Sequence, residues 1–250
     1  MGGIVTEKIF EVHYSHVDYY KRAKLTSIID FLNDIATYQS EKLGIGIDYL
    51  RENKSGWVIL KWEINVKKYP LYMDKVLVRT QPVAGRKIFA YRNFQILDLQ
   101  GNLLVSAKSV WSLVDIENMR PVRLTDEILG RYEIKEEKGQ KYKIEEALDF
   151  SEDKINNSTS FRIRYSDIDT NGHVNNEKYA AWMIENVPKD IVLGYRLTKL
   201  KIHFKKETKY GENIKVLSEV IQKDDKIICL HKIKNNKDML LTLGESIWEL

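Results

Sequence analysis

The chain has 250 residues, 43% of them hydrophobic and 30% charged, with a net charge of +4. That is the make-up of an ordinary soluble globular protein, long enough for one large core or two smaller ones. The charge is too weak by itself to argue for nucleic acid, the lone Cys229 excludes an intramolecular disulfide or a cysteine-built zinc site, and no apolar run has the length of a membrane span or a signal-peptide core.

Ile4 to Tyr14 reads as a strand. From Lys24 to Leu43 the residues Leu25, Ile28, Ile29, Leu32, Ile35 and Ala36 fall on one helical face, and Gly44 and Gly46 stop the helix. Strand-like runs follow at Trp57–Val66, Lys75–Pro82, Lys87–Asp98 and Leu103–Val114. The more charged segment Met119 to Ser158 reads as a solvated linker, which divides the chain into residues 1–140 and 141–250. The second part repeats the plan: a strand at Phe161–Tyr165, a helix at Asn176–Val187, then strands at Tyr195–Lys206, Asn213–Gln222, Lys226–Lys234 and Met239–Leu250. Cys229 lies in one of these strands and reads as a buried structural thiol.

Short matches keep the same order in both halves. H-Y-S-H-V-D from His13 sets against R-Y-S-D-I-D from Arg164, V-K-K-Y-P from Val66 against F-K-K-E-T from Phe204, and S-V-W-S-L from Ser109 against S-I-W-E-L from Ser246. A strand, a long helix and a run of antiparallel strands, twice over, predicts an α+β architecture with two long helices on a continuous antiparallel sheet. The repeat sets Tyr20 opposite Asn171, Arg22 opposite His173 and Tyr69 opposite Glu207, while Asp18 matches Asp169. Chemistry is therefore expected in the second half and substrate accommodation in the first.

The stretch Arg164–Pro188 carries that chemistry. Asp167, Asp169, Asn171 and His173 fall at every second position, so an extended segment would point them the same way. Gly172 marks a turn or a close approach, and Asn175 and Asn176 are good N-caps for the helix that follows. Taken singly, such residues are usually turn formers, caps or structural histidines. A carboxylate, an amide and an imidazole converging before a capped helix favour a reactive site, with helix-start N–H groups at hand.

These residues carry a family resemblance. D-I-D-T-N-G-H-V-N-N-E-K-Y followed by W-M-I-E-N-V-P resembles the active-site segment of the acyl–acyl-carrier-protein thioesterases. G-W-V-I-L-K-W-E-I-N-V-K-K-Y-P, A-K-S-V-W-S-L-V-D and I-H-F-K-K-E-T-K-Y-G-E extend the likeness over nearly the whole chain. It implies a tandem (double) hot-dog fold and hydrolysis of the thioester between a fatty acyl chain and the phosphopantetheine arm of acyl carrier protein. It also implies catalytic roles for Asp169, Asn171, His173 and Glu207. Plant members have Cys after that Glu, where this chain has Thr208, so a thiol-nucleophile mechanism is in question here.

Thioester hydrolysis needs a positioned water, a base and an oxyanion site, and no metal or organic cofactor. Glu207 is the expected base, with His173 and Asn171 holding water and carbonyl in line and Asp169 orienting them. The amide of Gly172 or others at the helix start are expected oxyanion donors, with Asn175 and Thr208 in support. Strand alternation alone would put Glu207 on a solvated face with Lys201, His203 and Lys205, so a local bulge near Lys206 is needed to turn it inward. Lys199, Lys201, Lys205, Lys206 and Lys209 form a basic cluster suited to an acidic carrier protein. The rival readings are an acyl-CoA thioesterase, a hot-dog hydratase and a non-catalytic acyl-thioester sensor. A cytoplasmic setting without nucleic-acid or membrane partners is expected, and the duplication leaves the association of two chains into a homodimer open.

Overall fold

The computed structural model describes residues 2–134, 142–169 and 172–250. The chain divides into two compact units, one of Met1–Leu60 with Lys67–Ile144, the other of Lys61–Val66 with Glu145–Leu250.

The first unit contains β1 (Thr6–Glu11), α1 (Leu25–Lys42), α2 (Ile47–Glu52), the first part of β2 (Ser55–Val66), β3 (Lys75–Arg86), β4 (Phe89–Asp98), β5 (Leu103–Asp115), β6 (Arg120–Pro121) and α3 (Asp126–Arg131). Strands β3, β4 and β5 form an antiparallel meander, and β1 pairs with β3 in the register Thr6↔Thr80. Helix α1 lies against β1 and β3. Its Ile28, Ile29, Leu32 and Ile35 have no exposed surface, each worth roughly 1.5–3 kcal/mol relative to solvent exposure. These side chains are core.

The expected linker from Met119 to Ser158 is only in part a linker. Leu124, Ile128, Tyr132 and Ile134 are buried and close a hydrophobic cluster with Ile45 and Leu113. Ile144, Ala147 and Phe150 are buried too. High average charge masked these apolar residues, because they are single buried positions set among exposed ones. The centre of the charge run lies outside the described residues.

The second unit contains β7 (Asn157–Arg162), α4 (Asn176–Glu185), α5 (Lys189–Gly194), β8 (Arg196–Phe204), β9 (Asn213–Lys223), β10 (Lys226–Asn235) and β11 (Leu240–Glu249). Its antiparallel order runs from Lys61–Asn65 of β2 through β8, β11, β10 and β9 to β7. Helix α4 is shorter than α1 and ends before Pro188, which cannot continue it. It packs so closely on β11 that a Cβ at Gly244 would meet the Met183 sulfur at 2.4 Å. Any larger residue there would have to displace the Met183 side chain.

Candidate active site

Two segments of the second unit build the site. The first leaves β7 at Ile163, makes a short turn at Tyr165–Asp167, and is closed by a bridge between Ile168 and Val174 just before α4. Asp167 is fully buried and accepts the backbone N–H of Arg164 at 2.8 Å and its guanidinium at 3.0 Å. Burial pushes that carboxyl up, but the bonds from Arg164 and its charge outweigh this and hold it below the usual range. Asp167 is thus a structural anchor, and its carbonyl also receives the N–H of Asn175 at 2.8 Å.

Beyond it the chain doubles back. Asp169 N–H donates to His173 O at 2.7 Å, and Asp169 Oδ1 accepts His173 N–H at 3.1 Å. Gly172 makes the reversal at φ +80°, a region that favours glycine. The segment is therefore a tight loop where alternation predicted an extended one. Asp169 shapes it by gripping the His173 backbone. Asn175 caps α4 by accepting from Glu177 N–H at 3.4 Å.

The second segment follows β8, whose Leu200 and Ile202 are buried. At its end Lys205 N–H and Lys206 N–H both donate to Leu241 O, at 2.8 and 3.1 Å. Two residues against one acceptor is the bulge that the alternation argument required. It shifts Glu207 to the side where Glu207 Oε2 lies 3.3 Å from His173 Nε2. Both side chains stay partly open to solvent, at 39% and 27%. A carboxylate and an imidazole in contact at a water-accessible point can take a proton from water and return it to a leaving group.

Asp169, His173 and Glu207 are therefore brought together, while Asn171 lies outside the described residues. The expectation for Gly172 changes: its N–H already donates to Asp169 O at 3.2 Å and is not available to an oxyanion in this conformation. Thr208 is buried, and its hydroxyl donates to Glu212 Oε2 at 2.6 Å. Cys229 is fully buried, and burial pushes its thiol up to about 12, which removes it as a nucleophile.

The basic cluster is also smaller than expected. Lys199 lies 3.0 Å from Glu145, and Lys201 is 2.9 Å from both Glu145 and Glu245. These ion pairs hold Glu145 down at about 2 and leave Lys205, Lys206 and Lys209 as the exposed cations. Charge counting along one strand missed acids supplied from elsewhere in the chain.

One residue beside the site went unassigned by sequence reasoning. Tyr179 of α4 is 3% exposed, packs edge-on against Phe204 at 5.3 Å, and sets its hydroxyl beside the backbone of Thr208. Burial, then the charge of Glu207, pushes its hydroxyl strongly up, so it stays neutral. Its place on the buried face of α4 was legible in the sequence; its hydroxyl partner was not.

The family model for the acyl-ACP thioesterase N-terminal domain matches residues 3–132, and that for the C-terminal domain matches residues 150–250. The chloroplastic acyl-[acyl-carrier-protein] hydrolase FATB3 of Cuphea viscosissima is 28% identical over 208 residues, 77% of this chain and 48% of that protein. The chain thus spans about half the length of the curated relatives it matches. A Lactobacillus plantarum chain assigned as an oleoyl thioesterase superposes with a TM-score of 0.93 at 24% identity, covering 99% of this chain and 96% of that one. The 12:0-ACP thioesterase of Umbellularia californica gives 0.87 at 19%, covering 98% and 94%. At these identities the likeness establishes the fold, a tandem hot-dog.

Proposed function

The chain belongs to the acyl-ACP thioesterase family, and on that footing we propose that it hydrolyses fatty acyl thioesters of acyl carrier protein, releasing the free fatty acid. The observation that carries this reading is the 3.3 Å contact between His173 and Glu207, which lies within the part matched by the C-terminal family model. In this reading Glu207 takes a proton from water as the water oxygen attacks the thioester carbonyl, whose π electrons move onto oxygen. Collapse of the tetrahedral species breaks the C–S bond, and the proton held by the Glu207–His173 pair passes to the departing pantetheine sulfur. Asn171 takes the role that the resemblance gives it, holding the substrate carbonyl in line, and Asp169 fixes the loop that presents His173.

The first unit accommodates the acyl chain, and the partner is the acidic carrier protein, met in the cytoplasm. Exposed Lys205, Lys206 and Lys209 beside Glu207 support carrier recognition. Among the described residues no helix is long and apolar enough to cross a membrane.

The test is thiol release from carrier-linked and CoA-linked acyl thioesters of graded length, with Asn171→Ala alongside. Turnover that prefers the carrier and falls in the variant is expected. Equal turnover of CoA esters would remove the carrier as the defining partner, and binding without turnover would make the protein a sensor.

A further inference from the structure

The two units hold their reactive-site loops in the same frame, bond for bond. In the first, Val12 N–H donates to Asp74 O at 2.9 Å and Met73 N–H to Val12 O at 2.9 Å. In the second, Ile163 N–H donates to Glu212 O at 2.9 Å and Gly211 N–H to Ile163 O at 3.1 Å. An edge-on tyrosine pair spans the same two segments each time, Tyr14–Tyr72 at 6.5 Å and Tyr165–Tyr210 at 6.4 Å. The bulge repeats as well, with Lys67 and Lys68 N–H groups both donating to Leu104 O.

Against this common frame one set of bonds belongs to the second unit alone. Where the first unit has Ile28, Pro70 and Asp74, the second has Tyr179, Thr208 and Glu212. Proline offers neither an N–H nor a hydroxyl, and isoleucine offers no acceptor. Thr208 is held from two sides: its side-chain hydroxyl donates to Glu212 Oε2 at 2.6 Å, and its backbone lies beside the Tyr179 hydroxyl. Tyr179 is 3% exposed and Thr208 2%, so the Thr208 hydroxyl is itself shielded from water and costly to leave unpaired, although Glu212 is exposed. These contacts pin the residue next to Glu207 to helix α4 on one side and to the following turn on the other. From this we infer that Thr208, braced by Tyr179 and Glu212, is the positioning residue that holds the Glu207 carboxylate against His173.

Thr208 touches no reacting atom in this arrangement. It acts through Glu207, so the inference rests on the thioesterase reading for its kinetic consequence, though not for its structural one. Two readouts keep them apart. The first is the imidazole ¹⁵N spectrum of His173 in the substrate-free protein, which reports the hydrogen bond at Nε2. Thr208→Val and Tyr179→Phe are expected to shift that resonance, whereas Thr208→Ser leaves it in place. The second is turnover of acyl carrier protein thioesters, where Thr208→Val is expected to lower kcat about tenfold to a hundredfold with KM within about twofold. Thr208→Ser is expected to restore it.

An unmoved His173 resonance in both folded Thr208→Val and Tyr179→Phe would overturn the positioning role. So would a kcat loss that Thr208→Ser fails to rescue. A resonance shifted in both variants, with a wild-type protein that hydrolyses no thioester, would leave the positioning intact and remove the thioesterase reading instead.

Discussion

In the loops an arginine of the first unit stands where the second unit has a histidine, and the core of each unit buries a basic side chain against a hydroxyl. Asp18 and Asp169 accept the backbone N–H four residues on, at 2.9 and 3.1 Å, and donate their own N–H to the carbonyl of that same residue, which closes the loop. In the first unit the gripped residue is Arg22, ion-paired to Asp18 at 3.2 Å and laid over Tyr20 and Tyr69 at 4.6 and 5.7 Å. In the second it is His173, facing Glu207. The comparison of the cores is looser, because the strand register sets Phe94 rather than Arg92 at the position of His231. Arg92 is buried and donates to Gln39 and Thr80 at 2.5 and 3.0 Å. His231 is fully buried between Ser218 and Ser246 at 2.8 and 2.9 Å. Behind them Trp111 and Trp248 each donate to the adjacent serine, Ser109 and Ser246.

The backbone and its hydrogen bonds are therefore indifferent to the residue they present. A guanidinium cannot give up its proton near neutral pH and serves as a fixed strut. An imidazole in the same place can exchange one, which suits it to chemistry and exposes it to acid.

The loop comparison predicts the largest effect. His173→Ala or Glu207→Ala is expected to lower acyl-thioester turnover by about 10²–10⁴-fold, the range of a lost acid–base group. Comparable turnover in both variants and wild type would break the contrast, because chemistry would then lie elsewhere. Next in size is Arg92→Ala, which leaves buried Gln39 and Thr80 without a donor and opens a hole. It should destabilise the protein by about 2–4 kcal/mol in denaturant titration. A loss under about 1 kcal/mol would mean that the strut bears little.

The core histidine gives an intermediate effect with a sign. Burial lowers His231 from its ordinary 6.5 to about 3, so the folded state refuses a proton that the unfolded chain accepts. Stability should then fall as pH drops from about 6.5 towards 3, and hold above that window. His203 adds in the same direction, since burial and then Lys205 and Lys61 lower it to about 4. Hydrogen exchange at falling pH should open β9 and β10 before β3 and β4, and His231→Gln should flatten the dependence. Simultaneous opening of both units would erase the distinction. The smallest effect belongs to Arg22→Ala, a half-exposed ion pair worth about 1 kcal/mol or less, with turnover unchanged. A large loss of activity there would give the first loop a role that its fixed charge argues against.

Much of this was legible in the sequence, because the repeat is carried by apolar period and by short ordered matches. The register that sets Arg22 opposite His173 could be read directly, as could the carboxylate Glu207. Three things could not. The alternation of Asp167, Asp169 and His173 suggested an extended run, but loop closure by Gly172 and the burial of Asp167 are long-range outcomes. Lys199 and Lys201 looked available because Glu145 and Glu245 are distant in sequence. Thr208 was legible as a departure from cysteine and a supporting residue, but not its fixed place, which depends on α4 beside it and a carboxylate after the next turn.

The bulge at Lys205 and Lys206 sets a rule of parity. Along a strand each residue flips the face, so one added residue decides on which side everything downstream falls. Removing any single residue between Phe204 and Glu207 would send the carboxylate to the opposite face, whatever the residue was. Changes of identity here are graded in effect, and changes of length are all-or-none. The first unit keeps the same extra residue before Tyr69, with no carboxylate to aim. The step in the strand therefore belongs to the scaffold of both units, whichever residue it aims.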